Sequence, residues 1–323
     1  MKKPIAIIAG EPNSISSEII FKTWKLKRKY KHKPFFIIGS IQLLNSQMKK
    51  LKYNIKIKKI DKNFSVKDLI KNELPVYDVK YNQKNPFENL STKSNKYIFK
   101  CFDIASKLSN KKKIIGFINC PISKEFLFKN NHQGITEYLA RKENTKNDGV
   151  MLIFNNDLSV SPITKHIPID QVSKKISYLE IINKVKIINN FYKKHFLKKP
   201  NFALLGLNPH NYYSSKKSKI KKNIDKAIKK LKIKKINIKG PIASDTSFMN
   251  FKKYKFDVII GMYHDQVLTP FKALYKFKAI NLTLGLPYIR ISPDHGIGED
   301  IIGKRIANPD SLVESIKFFN FIK

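Results

Sequence analysis

Short apolar runs alternate with longer amphipathic stretches along most of this chain. The apolar runs have the length of buried strands, and the amphipathic stretches have helical spacing. Strands separated by helices usually pair in parallel, because each helix carries the chain back to the start of the next strand. The pattern therefore predicts an α/β fold with mainly parallel sheets. Strands are predicted at 5–9, 35–38, 114–118, 150–154, 158–164, 202–207, 258–262 and 279–284. Helices are predicted at 16–29, 41–51, 97–108, 136–141, 172–196, 220–231 and 311–322, and the polar stretch 61–87 is predicted to be a surface excursion.

The length of the chain limits the number of folding units. A chain of 323 residues has room for one large α/β body or for two lobes. No apolar run approaches the ~18 residues that span a membrane, and the first run is shorter than a signal-peptide core. Cys101 and Cys120 are the only cysteines, which excludes a disulfide framework. We therefore expect a cytoplasmic protein with no membrane partner.

The formal net charge of +40 at pH 7 raises the question of nucleic-acid binding. Only four of the 64 basic residues are arginine, the residue preferred for bidentate contacts with phosphates and bases. Lysine is spread over the whole chain together with abundant Asn and Ile, whose codons are also rich in A and T. We interpret the charge as a solvated lysine surface with no specific nucleic-acid partner. A non-catalytic, nucleic-acid-binding protein is the alternative from a different functional class.

Three of the seven histidines directly follow strand-like runs. His166, His210 and His264 come after the runs that begin at residues 158, 202 and 258. In open α/β sheets, ligands bind outside the carboxyl ends of the strands. Three histidines there could hold a metal ion and leave a position open for substrate. Their separations of 44 and 54 residues match no local zinc motif, so three unrelated histidines remain the alternative.

Hydrogen-bond donors suited to an anion follow His264. Asp265 is its direct neighbour, and is either an acid–base group, a partner of His264 or a helix cap. Lys272, Asn281 and Arg290 come next, and the planar guanidinium of an arginine can hold a phosphate or carboxylate with two parallel hydrogen bonds. A surface ion pair is the alternative for Arg290. The order of these residues indicates an enzyme that acts on a small phosphorylated or carboxylated molecule.

Several common catalytic motifs are missing from the sequence. It contains no G-x-G-x-x-G, H-E-x-x-H or G-x-S-x-G. The segment 298–304 has the spacing of a P-loop, but Arg305 stands where that loop requires Ser or Thr. Both cysteines lie in apolar surroundings and are predicted to be packing residues rather than nucleophiles.

A series of motifs in a fixed order connects the chain to a known family. They are GEP at 10–12, GITE at 134–137, TKHIP at 164–168, GLNPH at 206–210, GPIASDT at 240–246 and the long block 262–296. On these motifs the sequence resembles the 4-hydroxythreonine-4-phosphate dehydrogenases, or PdxA family, which are NAD-dependent enzymes of vitamin B6 synthesis. The resemblance extends over nearly the whole chain.

The resemblance implies a fold like that of isocitrate and isopropylmalate dehydrogenases, with two α/β lobes, a cleft and a homodimer. The lobes would be residues 1–130 with 285–323, and residues 131–284. A divalent cation (Zn, Mg or Co) would be shared between subunits, two of its histidines coming from one subunit and the third from the other. The family's site residues correspond to metal ligands His166, His210 and His264, substrate contacts Thr136, Lys272, Asn281 and Arg290, and catalytic candidates Asp245, Asp265 and Lys272.

The implied reaction is oxidation of a small phosphorylated amino acid, 4-phosphooxy-threonine, by NAD, followed by loss of CO2 to give 3-amino-2-oxopropyl phosphate. The residues that contact NAD are left unassigned. Three departures from the family are visible. Ile135 stands where the family has a substrate-binding histidine, and a lysine-containing segment replaces the Gly-rich, acidic loop after His210. Near the start, the segment 13–17 replaces a turn that contains more glycine and a proline in the family. Oxidation of another phosphorylated hydroxy acid, such as threonate or erythronate 4-phosphate, is the alternative within the same chemistry.

Overall fold

The structure is a computed structural model that describes residues 3–128, 134–145, 149–208 and 219–322. The chain divides into two compact units. Unit 1 comprises Met1–Thr145 and Leu286–Ile322, and unit 2 comprises Lys146–Gly285. The segment 135–142 therefore lies in unit 1, whereas the division predicted from the resemblance assigns residues from 131 onwards to the second lobe.

Unit 1 is built on a parallel sheet. Numbered in chain order, its strands are β1 (Ile5–Ile8), β2 (Phe35–Gly39), β3 (Ile57–Ile60), β4 (Leu74–Asp78), β5 (Gly116–Asn119) and β12 (Ile289–Pro293). Their order in the sheet is β3-β4-β2-β1-β5-β12, and every pairing among them is parallel. The helices of this unit are α1 (Ser16–Leu26), α2 (Ile41–Lys50), α3 (Asn95–Asn110), α4 (Lys124–Phe128), α5 (Ile135–Lys142) and α11 (Asp310–Phe318).

Unit 2 has a mixed sheet with a parallel half. Its strands are β6 (Val150–Phe154), β7 (Ser159–Pro162), β8 (Phe202–Leu205), β9 (Ile238–Ile242), β10 (Val258–Gly261) and β11 (Ile280–Leu284). They follow the order β11-β6-β7-β10-β8-β9, antiparallel between β11, β6 and β7 and parallel from β7 to β9. Its helices are α6 (Ile169–Lys175), α7 (Tyr178–His195), α8 (Lys219–Ile233), α9 (Ser244–Asn250) and α10 (His264–Tyr275).

Each unit has its own apolar core between sheet and helices. In unit 1, Phe36 and Phe117 of the sheet and Phe102 of α3 are fully buried in one cluster. In unit 2, Ile259 of β10 and Phe271 of α10 are fully buried in another. The predicted α/β fold with mainly parallel sheets is confirmed, because strands and helices alternate along the chain and most of the described strand pairings are parallel.

Seven of these elements lie outside the ranges predicted from the sequence: β3, β4, β9, β12, α4, α9 and α10. The predicted surface excursion is wrong in part, because β4 lies inside it with Leu74 and Val76 fully buried. The missed strand β9 contains Gly240 and Pro241 and occupies the edge of its sheet, the usual place for proline in a strand. No helix is predicted over α10, which contains Pro270, a residue that is unfavourable inside a helix although the buried Val267, Leu268 and Phe271 keep helical spacing.

The single helix predicted at 172–196 is instead two helices, α6 and α7. The break falls at Ser177, whose side chain accepts a hydrogen bond from the Glu180 N–H and caps α7. A Ser followed three residues later by Glu is a known sequence signal for a helix start, so this boundary was readable from the sequence.

Both cysteines are confirmed as packing residues. Cys101 and Cys120 are fully buried and unpaired with each other. Burial raises the pKa of the Cys101 thiol to about 12 and raises the pKa of Cys120 as well. A nucleophilic cysteine needs a lowered pKa, so neither thiol suits that role.

Candidate active site

Two of the three predicted metal ligands come together in unit 2. His166 follows β7, and His264 is the first residue of α10, three residues after the end of β10. Because β7 and β10 are parallel neighbours, with Pro162 opposite Gly261, their carboxyl ends meet at one edge of the sheet. The two imidazole rings lie with centroids 5.4 Å apart.

Backbone hydrogen bonds hold these two strand ends against each other beyond the last paired residues. The Ile163 N–H donates to the Gly261 carbonyl at 2.8 Å. The Thr164 hydroxyl and the Thr164 N–H both donate to the Met262 carbonyl, at 2.8 and 3.1 Å. The loop that carries His166 is therefore tied to the segment that leads into His264.

A carboxylate orients the His264 ring. Oδ1 of Asp265 lies 2.7 Å from Nδ1 of His264, whose side chain is 29% exposed. A proton on Nδ1 would donate to this carboxylate, and Nε2 would then carry the lone pair that binds a metal. Carboxylates in this position fix the ring and raise its basicity in metal sites. Of the roles open to Asp265 in the sequence, this contact favours that of a partner to His264.

The third predicted ligand, His210, lies outside the described residues. The strand that precedes it, β8, is the other parallel neighbour of β10. Within the described ranges, which omit residues 209–218, no group of three or more His, Cys, Asp or Glu side chains is placed to hold a metal ion. The set of three histidines therefore stays a prediction, while the donor chemistry of His166 and His264 fits a divalent metal such as zinc or cobalt.

The side chain of Gln266 joins three segments of unit 2 and was not singled out in the sequence. Its Nε2 donates to the Gly206 carbonyl at 2.6 Å and to the Ser244 hydroxyl at 2.7 Å. Its Oε1 accepts the Met262 N–H at 2.6 Å. Gly261 makes room for it, since a Cβ there would lie 3.0 Å from this oxygen. The residue before α10 is Tyr263 rather than Ser or Thr, so no capping-box pattern marks Gln266 in the sequence.

The other predicted site residues of unit 2 have different surroundings. Asp245 is exposed in the first turn of α9, where its Oδ1 accepts the Thr246 N–H at 2.9 Å. Lys272 is exposed on α10, eight residues after His264 and thus about 12 Å further along the helix axis. Asn281 lies on β11, partly buried, and its Oδ1 is buried without a hydrogen-bond partner among the described residues.

In unit 1, Arg290 is a buried cation on β12. It is 5% exposed, and its Nε donates to the Asn119 Oδ1 at the end of β5 at 2.7 Å. Burial lowers the pKa of the guanidinium to about 10, and the negative charge of Glu137 acts in the opposite direction. The alternative of a surface ion pair is therefore wrong for Arg290. Thr136 lies half-buried in the first turn of α5.

The residue before Thr136 belongs to the core. Ile135, which stands where the resemblance places a substrate-binding histidine, is 3% exposed and is part of the apolar cluster of unit 1. Its side chain has no atom that can form a hydrogen bond. This position therefore contributes packing in the present chain.

Glu11, in the motif 10–12, is a buried acid next to α3. It is 2% exposed, and it accepts hydrogen bonds from the Ser94 hydroxyl at 3.2 Å and from the Asn13 N–H at 3.4 Å. Desolvation by burial raises its pKa above the ordinary value of 4.5, and these hydrogen bonds only partly offset the effect. The charged form is therefore disfavoured in the folded state relative to the unfolded state.

The substitution Glu11→Gln is expected to raise the melting temperature at neutral and alkaline pH. A raised carboxyl pKa contributes stability below the ordinary value of 4.5, and this contribution is lost as pH rises through the folded-state pKa. The difference between variant and wild type should thus grow as pH rises above the ordinary value of 4.5. Thermal unfolding at several pH values measures it, with the exposed Glu125→Gln as control. A difference that stays constant with pH would contradict the raised pKa.

The comparison with known proteins agrees with the family resemblance of the sequence motifs. Residues 31–319 match the family model described as pyridoxal phosphate biosynthetic protein PdxA. The chain belongs to the PdxA family. A protein from a Sulfurihydrogenibium species named 4-hydroxythreonine-4-phosphate dehydrogenase is 36% identical over 99% of this chain and 98% of its own length. A protein of the same name from Erythrobacter litoralis is 31% identical over 97% of this chain and 94% of its own length.

A solved structure shares the fold of this PdxA-family chain. The crystal structure of 4-hydroxythreonine-4-phosphate dehydrogenase from Klebsiella pneumoniae matches with a TM-score of 0.83 at 26% identity, and the match covers 98% of both chains. The resemblance inferred from the motifs is confirmed at the level of family and fold. No helix in the described parts of the chain is long and apolar enough to cross a membrane.

Proposed function

We propose that this chain oxidises the secondary alcohol of 4-hydroxythreonine 4-phosphate with NAD and releases CO2 to give 3-amino-2-oxopropyl phosphate, a step toward pyridoxal phosphate. The observation that carries the proposal is the match, over nearly the full chain, to proteins named for this activity. In the oxidation, the carbinol carbon gives a hydride to NAD and the hydroxyl gives up a proton. The resulting β-keto acid then loses its carboxylate as CO2, and the carbon left behind takes up a proton.

In unit 2, His166 and His264 are the proposed metal ligands, with His210 as the third. The support is the 5.4 Å separation of the two rings and the Asp265 carboxylate on His264. A divalent cation held there, Zn, Mg or Co, would draw electron density from the substrate oxygens and so favour both proton loss and decarboxylation. Asp265 would hold the His264 ring in one orientation while substrate binds.

Four residues are the proposed substrate contacts. The buried Oδ1 of Asn281 is an acceptor that needs a donor, and the ammonium and hydroxyl groups of the substrate are donors. Lys272 offers three N–H donors to a phosphate or carboxylate, and Arg290 offers a planar cation fixed by Asn119. Thr136 offers a hydroxyl in the first turn of α5. Asp245 is proposed as a polar group near the reacting carbon and Lys272 as a further acid–base candidate.

We also propose a homodimer that works in the cytoplasm. Unit 2 exposes large apolar side chains on α9, on α10 and just after α10: Met249 is 80%, Leu274 52% and Phe277 48% exposed. Exposed apolar groups of this size support a protein–protein contact. Two unpaired, buried thiols suit a reducing compartment.

Purified protein with NAD, 4-phosphooxy-threonine and Zn²⁺, Mg²⁺ or Co²⁺ is expected to form NADH, and EDTA should abolish the reaction. The reason is that EDTA would remove the cation that the three histidines are proposed to hold, and with it the group that would favour proton loss from the alcohol. NADH absorbance follows the reaction, and readdition of metal after EDTA is the control. Absence of NADH with every metal would refute the proposed activity.

A further inference from the structure

The Gln266 side chain forms three hydrogen bonds, each with a residue that comes shortly before a proposed site residue in the sequence. Oε1 of Gln266 accepts the N–H of Met262, which lies two residues before His264. Ser244, whose hydroxyl is an acceptor, lies directly before Asp245. Gly206 lies four residues before His210 in the sequence, and its carbonyl accepts the remaining N–H. The side-chain amide of Gln266 therefore forms hydrogen bonds just after the ends of three strands, β10, β8 and β9.

The contacts are short and use the full donor capacity of the amide. A glutamine side chain has two N–H donors, and both are used here at 2.6 and 2.7 Å. Gly206 is also fixed from the other side, since its N–H donates to the Ile242 carbonyl at 3.0 Å. The ends of β8, β9 and β10 thus share one hydrogen-bonded junction, which Thr164 extends to the end of β7 through the Met262 carbonyl.

The lack of a side chain at Gly261 leaves room for Gln266. A Cβ at Gly261 would lie 2.5 Å from Cγ1 of Val267 and 3.0 Å from Oε1 of Gln266, so only glycine lets the first turn of α10 pack this closely on β10. Gly261 and Gln266 are thus parts of one arrangement. A change at either residue should loosen the same junction.

We propose that Gln266 is a positioning residue that sets the geometry of the proposed metal ligand His264. The inference rests on the proposed function. Gln266 acts through Met262 on the segment that leads into His264, and it ties that segment to the end of β8 at Gly206 and to Ser244 before Asp245. Because a metal site tolerates only small displacements of its ligands, loss of this junction weakens metal binding more than it weakens the fold.

The test compares Gln266→Met with wild type by Co²⁺ titration. Methionine keeps the approximate length of the side chain, adds no charge and removes all three hydrogen bonds. The Co²⁺ dissociation constant is expected to rise about 10- to 100-fold, the range typical for residues that orient metal ligands. The visible absorption of bound Co²⁺, which reports ligand geometry, should change as well. Gly261→Ala, which displaces Gln266 by contact, should show the same two effects.

The matched control is Gln47→Met in unit 1. Gln47 is 1% exposed and its Nε2 also donates to two backbone carbonyls, those of Pro12 and Pro86. This variant should lower the melting temperature of the metal-free protein about as much as Gln266→Met while leaving Co²⁺ affinity and absorption unchanged. Equal loss of Co²⁺ affinity in both variants would mean that Gln266 has only a structural role.

Two further outcomes separate this inference from the function on which it rests. If wild type binds Co²⁺ and Gln266→Met binds it within about twofold, the positioning role is refuted and the proposed enzyme is unaffected. If wild type binds no Co²⁺, the proposed metal site is refuted and the positioning role is refuted with it.

Discussion

Replacement of His264 by alanine is expected to reduce metal-dependent NADH formation by more than about 100-fold. The lower bound follows because even residues that only orient a metal ligand change affinity or activity by about 10- to 100-fold, and His264 is proposed to bind the metal itself. The cost to folding should be small, since the side chain is 29% exposed and lies at the first position of α10. Initial rates at saturating Co²⁺, together with circular dichroism of the metal-free protein, measure the two effects.

His195→Ala is the matched control for this experiment. His195 is a partly buried histidine at the end of α7 in the same unit, with its ring 4.9 Å from that of Phe191. Its removal should leave turnover close to wild type. Unchanged turnover in His264→Ala, with the protein folded, would remove His264 from the metal site and leave the pair with His166 as a packing contact.

The substitution Arg290→Lys is expected to raise KM for the phosphorylated substrate about 10- to 100-fold. This range corresponds to loss of one or two charge-assisted hydrogen bonds. A lysine keeps the charge but lacks both the planar fork and the Nε that donates to Asn119, so the cation would no longer be held in one plane. Steady-state kinetics with varied substrate at saturating NAD and metal measure the change.

Arg141→Lys serves as the control for Arg290→Lys. Arg141 is exposed in the last turn of α5, also in unit 1, and has no proposed contact with substrate. Thermal unfolding of both variants separates stability from binding. If Arg290→Lys lowers the melting temperature but leaves KM unchanged, Arg290 is a buried structural cation and not a substrate contact.

Much of the fold was readable from short-range patterns. The runs at 150–154 and 258–262 correspond to β6 and β10 because buried strands leave a continuous apolar run. The strands β4 and β9 and the helix α10 each contain a proline, and a pattern that treats proline as a break cannot recover them. What keeps these elements in place is pairing or packing with segments distant in sequence, which no local window contains.

In the candidate site, too, local sequence patterns predicted some residues, whereas the contacts of others depend on segments distant in sequence. The rule that ligands bind at the carboxyl ends of parallel strands selected His166 and His264, and β7 and β10 are indeed neighbours. Gln266 could not be assigned in this way, because its partners Gly206 and Ser244 are 60 and 22 residues away. The burial of Arg290 could not be predicted from the sequence either, because it depends on the pairing of β12 with β5 rather than on the residues next to Arg290.

The packing of Ile135 makes this position difficult to convert to the histidine that the resemblance places there. At 3% exposure within an apolar cluster, the position now depends on neighbours shaped around an aliphatic side chain. A histidine placed there alone would bury a polar ring without a partner, at a cost of about 1–3 kcal/mol. A histidine could therefore be accommodated at this position only together with compensating changes in the surrounding core, so the two kinds of change must occur jointly.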